Sequence, residues 1–294
     1  MNNENSIKDS ELVLAPTGNL YHIGLGPSTL ADDIILVGDP GRVEMFRPLM
    51  DEVEFESRNR EMFALTGRRH GHRLTVLSTG MGCDNIDIVM TELDAAANID
   101  LATRRPSANH RTLRMVRIGT CGSLQPDVDC GTIVAGRYAI GLDGLMNYYR
   151  VDPTLLCEPM ADAFCRHTGL QQPFARPYAA SCSPLLAETI GRGMKPVIIA
   201  TAPGFYGPQG RHVRLAPSLT DLNERLATFE WDGLRLTNLE METSAIYGFA
   251  RAMGHEALTV CLVIANRPTG HFINDYHDAM HQLVETVVDR FTEL

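Results

Sequence analysis

The chain has 294 residues, 44% of them hydrophobic, so it can bury the core of one large α/β domain or of two small ones. Its formal net charge of -10 argues against nonspecific binding to nucleic acids or membrane surfaces, because both repel an acidic protein. No proline-, glycine- or serine-rich linker and no internal repeat divides the sequence. We therefore expect a single domain over residues 20–294, preceded by a polar, mobile tail or an arm laid on a neighbour over residues 1–19.

The cysteines and the N-terminal sequence indicate the compartment. The seven cysteines are scattered without CxxC spacing, which is typical of reduced thiols packed as small hydrophobic residues. The N-terminal stretch MNNENSIKDSELVLAP lacks the basic and apolar regions of a signal peptide, and no window is apolar for the length of a membrane span. The sequence thus predicts a cytoplasmic protein that binds neither nucleic acid nor membrane.

The first predicted strand ends in a glycine turn that opens a helix. Residues 34–38 (IILVG) are apolar and predict a buried strand, and VEMFRPLM (43–50) predicts a short helix. Asp39 suits the N-cap and Pro40 the first helical position. Free N–H groups at such a helix start favour an anion, and Arg42 lies in the first turn beside them.

Three further strands and a helix follow. Alternating or continuous apolar residues predict strands over 53–57, 62–66 and 74–78. The basic segment RRHGHR (68–73) is typical of a hairpin turn, and a solvated turn is favoured over a metal or nucleic-acid site. A glycine turn at 78–82 opens a helix that we predict over 84–98.

Residues 113–124, LRMVRIGTCGSL, carry the strongest chemical signal. The apolar run to Ile118 predicts a buried strand that ends in a turn over 119–123, where glycines let the backbone approach a ligand. Arg117 interrupts the run, and a buried charge needs an acidic partner or a bound anion. A guanidinium beside free N–H groups and the Thr120 hydroxyl suits a phosphate. The alternative is a core strand with a structural arginine–carboxylate pair and an ordinary turn.

The rest of the chain alternates strands with helices. We predict strands over 131–141, 178–182, 197–202, 236–239 and 256–265, and helices over 153–168, 219–228, 240–253 and 275–294. Gly254 is expected to close the helix over 240–253. This order, in which some strands follow one another directly, predicts a three-layer α/β fold with a central mixed, twisted β-sheet flanked by helices.

Two polar stretches stand out by packing rules. Glu240 and Glu242 are predicted in the first turn of a helix, where they either cap it or accept hydrogen bonds from the cis-diol of a ribose. The segment FYGPQGR (205–211) combines aromatic, amide and guanidinium groups that can stack on and read a planar ring. Gln209 can both donate to and accept from a uracil-type edge, and Arg211 can donate to a ring carbonyl. An ordinary turn-rich surface loop is the alternative.

Together these motifs resemble the nucleoside phosphorylase family and, within it, the uridine phosphorylases. The resemblance rests on GDPGRV (38–43), NRE (59–61), STGMG (78–82), RIGTCG (117–122), FYGPQGR (205–211), EMETSA (240–245) and VIANR (263–267). It implies reversible cleavage of uridine by phosphate to uracil and ribose 1-phosphate. It also implies a single α/β domain and homodimers with shared active sites, which commonly assemble into hexamers.

The resemblance assigns roles to individual residues. The implied phosphate pocket comprises Gly38, Arg42, Arg117 and Thr120, with Arg60 reaching in from the neighbouring subunit. The implied ribose site comprises Thr120, Met241 and Glu242, with the neighbour's His22 near the 5′-hydroxyl. Uracil would contact Phe205, Gln209 and Arg211. The implied catalytic residues are Arg117, Glu242 and Arg211, and no covalent intermediate is required.

The resemblance favours uridine over a purine nucleoside. Purine phosphorylases of the family carry a Ser-Asp pair after the last strand, whose acid protonates the base, whereas Asn266 and Arg267 stand there in this chain. Some relatives bind a monovalent cation through a glutamate that matches Glu61, but Asn85 replaces the expected serine, which argues against that ion. Cys121 stands where hydroxyl residues are common. No metal or other cofactor is implied, and phosphate is a co-substrate.

Three alternatives stay open. A purine nucleoside phosphorylase or a nucleoside hydrolase on the same scaffold is the nearest, and product analysis separates them because only a phosphorylase needs phosphate and yields ribose 1-phosphate. A non-catalytic nucleoside-binding module belongs to a different class. It predicts the loss of pocket residues, whereas Arg42, Arg60, Arg117 and Glu242 are all present.

Overall fold

The structure, a computed structural model, describes residues 6–170 and 172–294. The strands in this part of the chain are β1 (Asp33–Val37), β2 (Glu52–Asn59), β3 (Met62–Arg69), β4 (His72–Ser78), β5 (Ile99–Asp100), β6 (Arg105–Pro106), β7 (Arg114–Ser123), β8 (Ile133–Gly141), β9 (Tyr178–Ser181), β10 (Lys195–Thr201), β11 (Glu230–Trp231), β12 (Leu234–Glu240), β13 (Glu256–Asn266) and β14 (His271–Phe272). The α-helices are α1 (Pro40–Val43), α2 (Cys83–Asn98), α3 (Glu158–Thr168), α4 (Pro184–Thr189), α5 (Leu222–Ala227), α6 (Thr243–Met253) and α7 (His277–Thr292). Turns of 3-10 helix cover Glu44–Leu49, Leu145–Tyr148, Pro153–Leu155 and Gly207–Gln209.

Most of these strands form one mixed sheet in the order β11-β12-β10-β8-β13-β7-β1-β4-β3-β2, with β14 paired to β13 and β9 to β8. Because β12 also pairs with β7, the strands β12, β10, β8, β13 and β7 close into a ring. Helix α6 packs on β8, β9, β10 and β13, while α3 packs on β9 and α7 on β13. The predicted fold class, a mixed central sheet flanked by helices, is confirmed.

Helix α6 is apolar on nearly every side because it is buried against this ring. Its residues from Thr243 to Ala250 are all buried. The Tyr247 hydroxyl donates to the carbonyl of Gly136 (2.7 Å) and accepts the N–H of Thr259 (2.8 Å), so one buried phenol ties α6 to both β8 and β13. Gly254 ends the helix in the left-handed conformation (φ 75°), as predicted.

The glycine-rich segment after Ile118 is a strand, and the turn predicted there is wrong. β7 continues to Ser123 and pairs with β13 as far as Asn266. A Cβ on Gly119 would lie 2.0 Å from NH1 of Arg117. Glycine therefore serves to make room for a guanidinium within the sheet, and it does not reverse the chain.

The helix predicted from Glu240 begins instead at Thr243, so the placement of both carboxylates in its first turn is wrong. Glu240 is the last residue of β12, where it pairs with Thr201 of β10. Its carboxylate accepts the N–H groups of Glu242 and Thr243, each at 3.0 Å. A side chain from the strand thus satisfies the free donors at the helix start.

Local signals elsewhere gave mixed results. Asp39 caps α1 by accepting the N–H of Gly41, and Pro40 is the first helical residue, as predicted. The helix predicted over 153–168 divides into a 3-10 turn and α3. Pro159 explains the break, because it lacks an N–H and fits only the first turn of a helix.

Residues 6–19 of the expected tail or arm contact their own chain. Leu12 is buried, and its carbonyl accepts from NH1 of Arg104 (2.6 Å). Leu14 forms a β-bridge with Leu20. Residues 1–5 lie outside the described residues. Within the described ranges, no helix combines the length and the apolar character that crossing a membrane requires.

Candidate functional site

Residues that lie in or after β1, β4, β7, β10, β12 and β13 line one cavity of about 950 Å³. The predicted site residues on its wall are Gly38, Arg42, Arg117, Thr120, Phe205, Gln209, Arg211, Met241 and Glu242. They come from segments more than 200 residues apart in the sequence, and the fold brings them together. Cys121 also lines the cavity. Its thiol is neutral, because burial raises its pKa well above the ordinary value.

Arg117 and two carboxylates form a buried ionic group on the cavity wall. NH2 of Arg117 donates to Oε2 of Glu242, and its NH1 lies 3.4 Å from Oε2 of Glu240. The side chains of Arg117, Glu242 and Glu240 are 6%, 5% and 2% exposed. Although burial lowers it, the two carboxylates raise the pKa of Arg117 above its ordinary value. The structural arginine–carboxylate pair considered above is present, and it faces the cavity.

Glu242 is held by two independent donors. Its Oε1 accepts the N–H of Gly82 (2.8 Å), next to the start of α2, while Oε2 accepts from Arg117. Burial raises the pKa of Glu242, and the charge of Arg117 opposes that rise. Each carboxylate oxygen keeps a second lone pair. Glu242 can therefore accept hydrogen bonds from two adjacent hydroxyls without giving up its own anchors.

Arg42 brings a second guanidinium to the same wall. Its NH1 donates to the carbonyl of Ile118 (3.3 Å), one residue beyond Arg117. Burial, together with the charge of Arg117, lowers the pKa of Arg42. The Nε–H of Arg117 is buried and has no acceptor among the described residues. The positive charges of Arg42 and Arg117 repel each other, and Arg117 has an unused N–H donor. An anion that contacts both guanidinium groups would stabilise them.

The 205–211 loop forms another part of the wall. NH1 of Arg211 donates to Oε1 of Gln209 (2.6 Å) and to the carbonyl of Phe205 (2.5 Å), and its guanidinium carbon lies 3.7 Å from the centroid of the Phe205 ring. Gln209 is buried, whereas Phe205 is half exposed. Burial, together with the charge of Arg267, lowers the pKa of Arg211 to about 10. The loop therefore presents an aromatic ring, an amide and a cation in fixed relation to one another.

Arg267 and Tyr276 also line the cavity, although the motifs assign them no role there. NH1 of Arg267 donates to the carbonyl of Gln209 (3.2 Å), which ties the residue to the 205–211 loop. The position of Arg267 directly after β13, at the end of the sheet that carries the other site residues, is the signal that would have found it. Tyr276 precedes α7 and carries no comparable signal.

Arg60 and His22 do not line this cavity. Arg60 is exposed in the turn between β2 and β3, adopts a left-handed conformation (φ 54°), and has no hydrogen-bond or ion-pair partner in the described parts of the chain. Nδ1 of His22 lies 2.6 Å from Oε1 of Glu92. The Asn59 amide donates to the carbonyl of Tyr21 (2.8 Å) and so holds the two segments together. The residues expected from a neighbour thus share one surface outside the cavity of their own chain.

The one cluster of potential metal ligands in the described ranges lies elsewhere and comprises Asp94, His110 and His255. The N–H of Leu113 donates to Nδ1 of His255 (3.2 Å), so Nε2 carries the ring proton and donates it to Asp94 (3.1 Å). With this proton donated to Asp94, Nε2 is not free to bind a metal ion, and His255 links α2 to the segment directly before β13.

Comparison with known proteins shows the family to which the chain belongs. The family model of the phosphorylase superfamily matches residues 32–293. The chain is 30% identical over 259 residues to a uridine phosphorylase of Thermococcus kodakarensis, covering 87% of this chain and 80% of that protein. It is 26% identical over 257 residues to a DeoD-type purine nucleoside phosphorylase of Caldanaerobacter subterraneus subsp. tengcongensis, covering 85% and 89%. A solved structure of a Trypanosoma brucei nucleoside phosphorylase that shows uridine phosphorylase activity matches with a TM-score of 0.86 at 28% identity, covering 96% of this chain and 100% of that one.

Proposed function

Because this chain belongs to the phosphorylase superfamily, we propose that it cleaves uridine with inorganic phosphate to give uracil and ribose 1-phosphate. The observation that carries the proposal is the contact between Arg117 and Glu242 on the cavity wall. A guanidinium suited to phosphate and a carboxylate suited to a ribose diol touch each other. Their ligands would therefore be neighbours, as displacement at C1′ requires.

Phosphate would be bound by Arg42 and Arg117, with the backbone at Gly38 and the hydroxyl of Thr120 beside them. This assignment is supported by the mutual influence of the two arginines and by the buried N–H of Arg117 that lacks an acceptor. Charge-assisted hydrogen bonds from two guanidinium groups are strong enough to capture a dianion despite the overall negative charge of the protein.

Ribose would be bound by Met241 and Glu242, with Thr120 alongside. Both carboxylate oxygens of Glu242 are already oriented, one by Gly82 and the other by Arg117, so little ordering is needed when the diol binds. A sugar fixed in this way presents its C1′ carbon to the adjacent phosphate.

Uracil would be read by Gln209 and Arg211 and would pack against Phe205. The carbonyl oxygen of the Gln209 amide has a second lone pair to accept the N3–H of uracil, and Arg211 has unused N–H groups for a ring carbonyl. Arg267 lies where purine phosphorylases of the family, by the resemblance above, carry an acid. A guanidinium cannot protonate a purine, and this favours uridine over the purine alternative.

A second copy of the chain would complete each site through Arg60 and His22. Arg60 is exposed in the two-residue turn between β2 and β3, and its side chain has no hydrogen-bond or ion-pair partner within the described ranges. An exposed arginine without a partner, beside a histidine on the same surface, is suited to reaching a neighbouring cavity. We infer a homodimer with shared active sites.

The mechanism is electrostatic. As the C1′–N1 bond breaks, negative charge develops on uracil, where Arg211 and Gln209 stabilise it. Positive charge develops on the ribose, opposite the phosphate held by Arg117 and Arg42. The phosphate then captures C1′ with inversion, and no protein nucleophile takes part. Cys121 stays a spectator in this scheme, because its thiol is not ionised near neutral pH.

The proposal is tested by incubating the protein with uridine, with and without phosphate, and following uracil release by ultraviolet absorbance. We expect release only with phosphate, and ribose 1-phosphate as the second product. Free ribose formed without phosphate would identify a hydrolase. Faster phosphorolysis of inosine than of uridine would identify a purine nucleoside phosphorylase. Either result would overturn the proposal.

A further inference from the structure

Glu240 lies in the cavity wall without a role in the scheme above. Its side chain is 2% exposed and lies at an ion-pair distance from Arg117 (3.4 Å). Carboxylates of this kind are seldom buried unless they are paired and hydrogen-bonded, because desolvation of the charge is costly. The question is whether Glu240 could bind a ligand itself or acts through Arg117.

The contacts of Glu240 leave no room for a ligand. Oε1 accepts from the hydroxyl of Thr201 (2.7 Å) and from the N–H of Thr243 (3.2 Å). Oε2 accepts from the N–H groups of Glu242 and Thr243 and faces NH1 of Arg117. A carboxylate has about four lone-pair sites, and all of them are occupied here. Any effect of Glu240 on the reaction must pass through a neighbour.

We propose that Glu240 is a positioning residue that holds the guanidinium of Arg117 in the orientation required to bind phosphate, an inference that rests on the proposed function. Arg117 has two carboxylate partners, one on each terminal nitrogen. Glu240 is itself fixed by backbone N–H groups at the start of α6 and by Thr201. It can therefore hold NH1 of Arg117 in a fixed position by ion pairing.

Arg117 would adopt a different orientation if Glu242 were its only carboxylate partner. An isolated arginine–carboxylate pair favours the bidentate arrangement, in which two nitrogens of the guanidinium donate to the two oxygens of one carboxylate. Without Glu240, both nitrogens of Arg117 would turn to Glu242. That rotation would turn the donors of Arg117 away from the phosphate. Glu242 itself would stay in place, because Gly82 anchors it separately.

The substitution Glu240→Gln tests this through the sign of its effect. It removes a negative charge from the site, and by charge alone phosphate should then bind more tightly, with a lower KM. Loss of position predicts the opposite. We expect the KM for phosphate to rise about tenfold, in the range for a lost charged hydrogen bond, while the KM for uridine changes less than about twofold. An unchanged or lower KM for phosphate, or an equal rise in both KM values, would overturn the proposal.

Two threonine variants distinguish a loss of positioning from a general folding defect. Thr201→Val keeps every charge but removes the hydroxyl that fixes Oε1 of Glu240, and it should raise the KM for phosphate in the same direction by a smaller factor. Thr259→Val is the matched control, because Thr259 lies opposite Arg117 in the sheet and its buried hydroxyl has no partner in the described structure. It should leave the KM for phosphate unchanged. An equal rise in both variants would refute the positioning role.

A direct binding measurement separates this inference from the proposed function. Calorimetric titration of the full-length protein with inorganic phosphate needs no turnover. Wild-type protein that binds phosphate but does not cleave uridine would contradict the proposed function alone. Tight binding retained by Glu240→Gln would contradict the positioning role alone.

Discussion

Replacing Arg117 by methionine would leave two carboxylates buried without their counter-charge. Glu240 and Glu242 are 2% and 5% exposed, so neither can recover hydration. Breaking a buried ion pair by removing one partner costs about 3–5 kcal/mol. For a chain of this size that corresponds to a fall of about 5–8 °C in Tm. The expected measurement is thermal unfolding by circular dichroism in phosphate-free buffer near neutral pH.

The loss of Tm in Arg117→Met should depend on pH, in a direction set by the pKa of Glu242. Removal of Arg117 takes away the charge that opposes the rise in the pKa of Glu242, so the folded-state pKa moves further above the unfolded value. A carboxyl group whose pKa is raised on folding destabilises the protein above that pKa, and the cost disappears as the pH falls toward the unfolded value of about 4.5. The gap in Tm between wild type and Arg117→Met should therefore narrow between neutral pH and about pH 5.

A double variant completes the test. In Arg117→Met combined with Glu242→Gln only one buried charge is unpaired, and part of the lost Tm should return. If Arg117→Met unfolds at the wild-type temperature at every pH, or if the added Glu242→Gln lowers Tm further, the ionic group is not arranged as described.

Three further predictions concern activity. Gly119→Ala places a Cβ 2.0 Å from NH1 of Arg117, so kcat/KM for phosphate should fall about 100-fold with the fold retained, and unchanged kinetics would contradict the packing argument. Since the pKa of Arg211 is lowered to about 10, kcat/KM for uridine should decline as the pH rises toward that value. Comparison with Arg211→Gln, which lacks this group, removes the contribution of the substrate's own titration. Arg60→Ala and Arg117→Met should each be inactive, but co-expression should restore about one quarter of the wild-type activity through mixed dimers, and no recovery would exclude shared sites.

Local sequence signals predicted those elements whose ends are decided by neighbouring residues. Asp39 and Pro40 mark the start of α1, and Gly254 marks the end of α6, because a cap side chain, a fixed φ and a left-handed glycine act within one turn of chain. The phosphorylase motifs likewise placed most of the predicted site residues on one cavity.

Long-range packing decided the elements that were predicted wrongly. Gly119 is an ordinary turn signal in the sequence, yet its function is to clear space for Arg117, and only the folded sheet shows that. Glu240 fits a helical pattern, but pairing with Thr201 extends β12 through it.

The central claim is that phosphate and ribose bind side by side on the paired Arg117 and Glu242. A crystal structure of the protein with phosphate and an unreactive uridine analogue tests it most directly. The account predicts phosphate oxygens within about 3 Å of the guanidinium groups of Arg42 and Arg117, and both ribose hydroxyls on Glu242. Phosphate bound away from Arg117, or a ribose that does not contact Glu242, would contradict it.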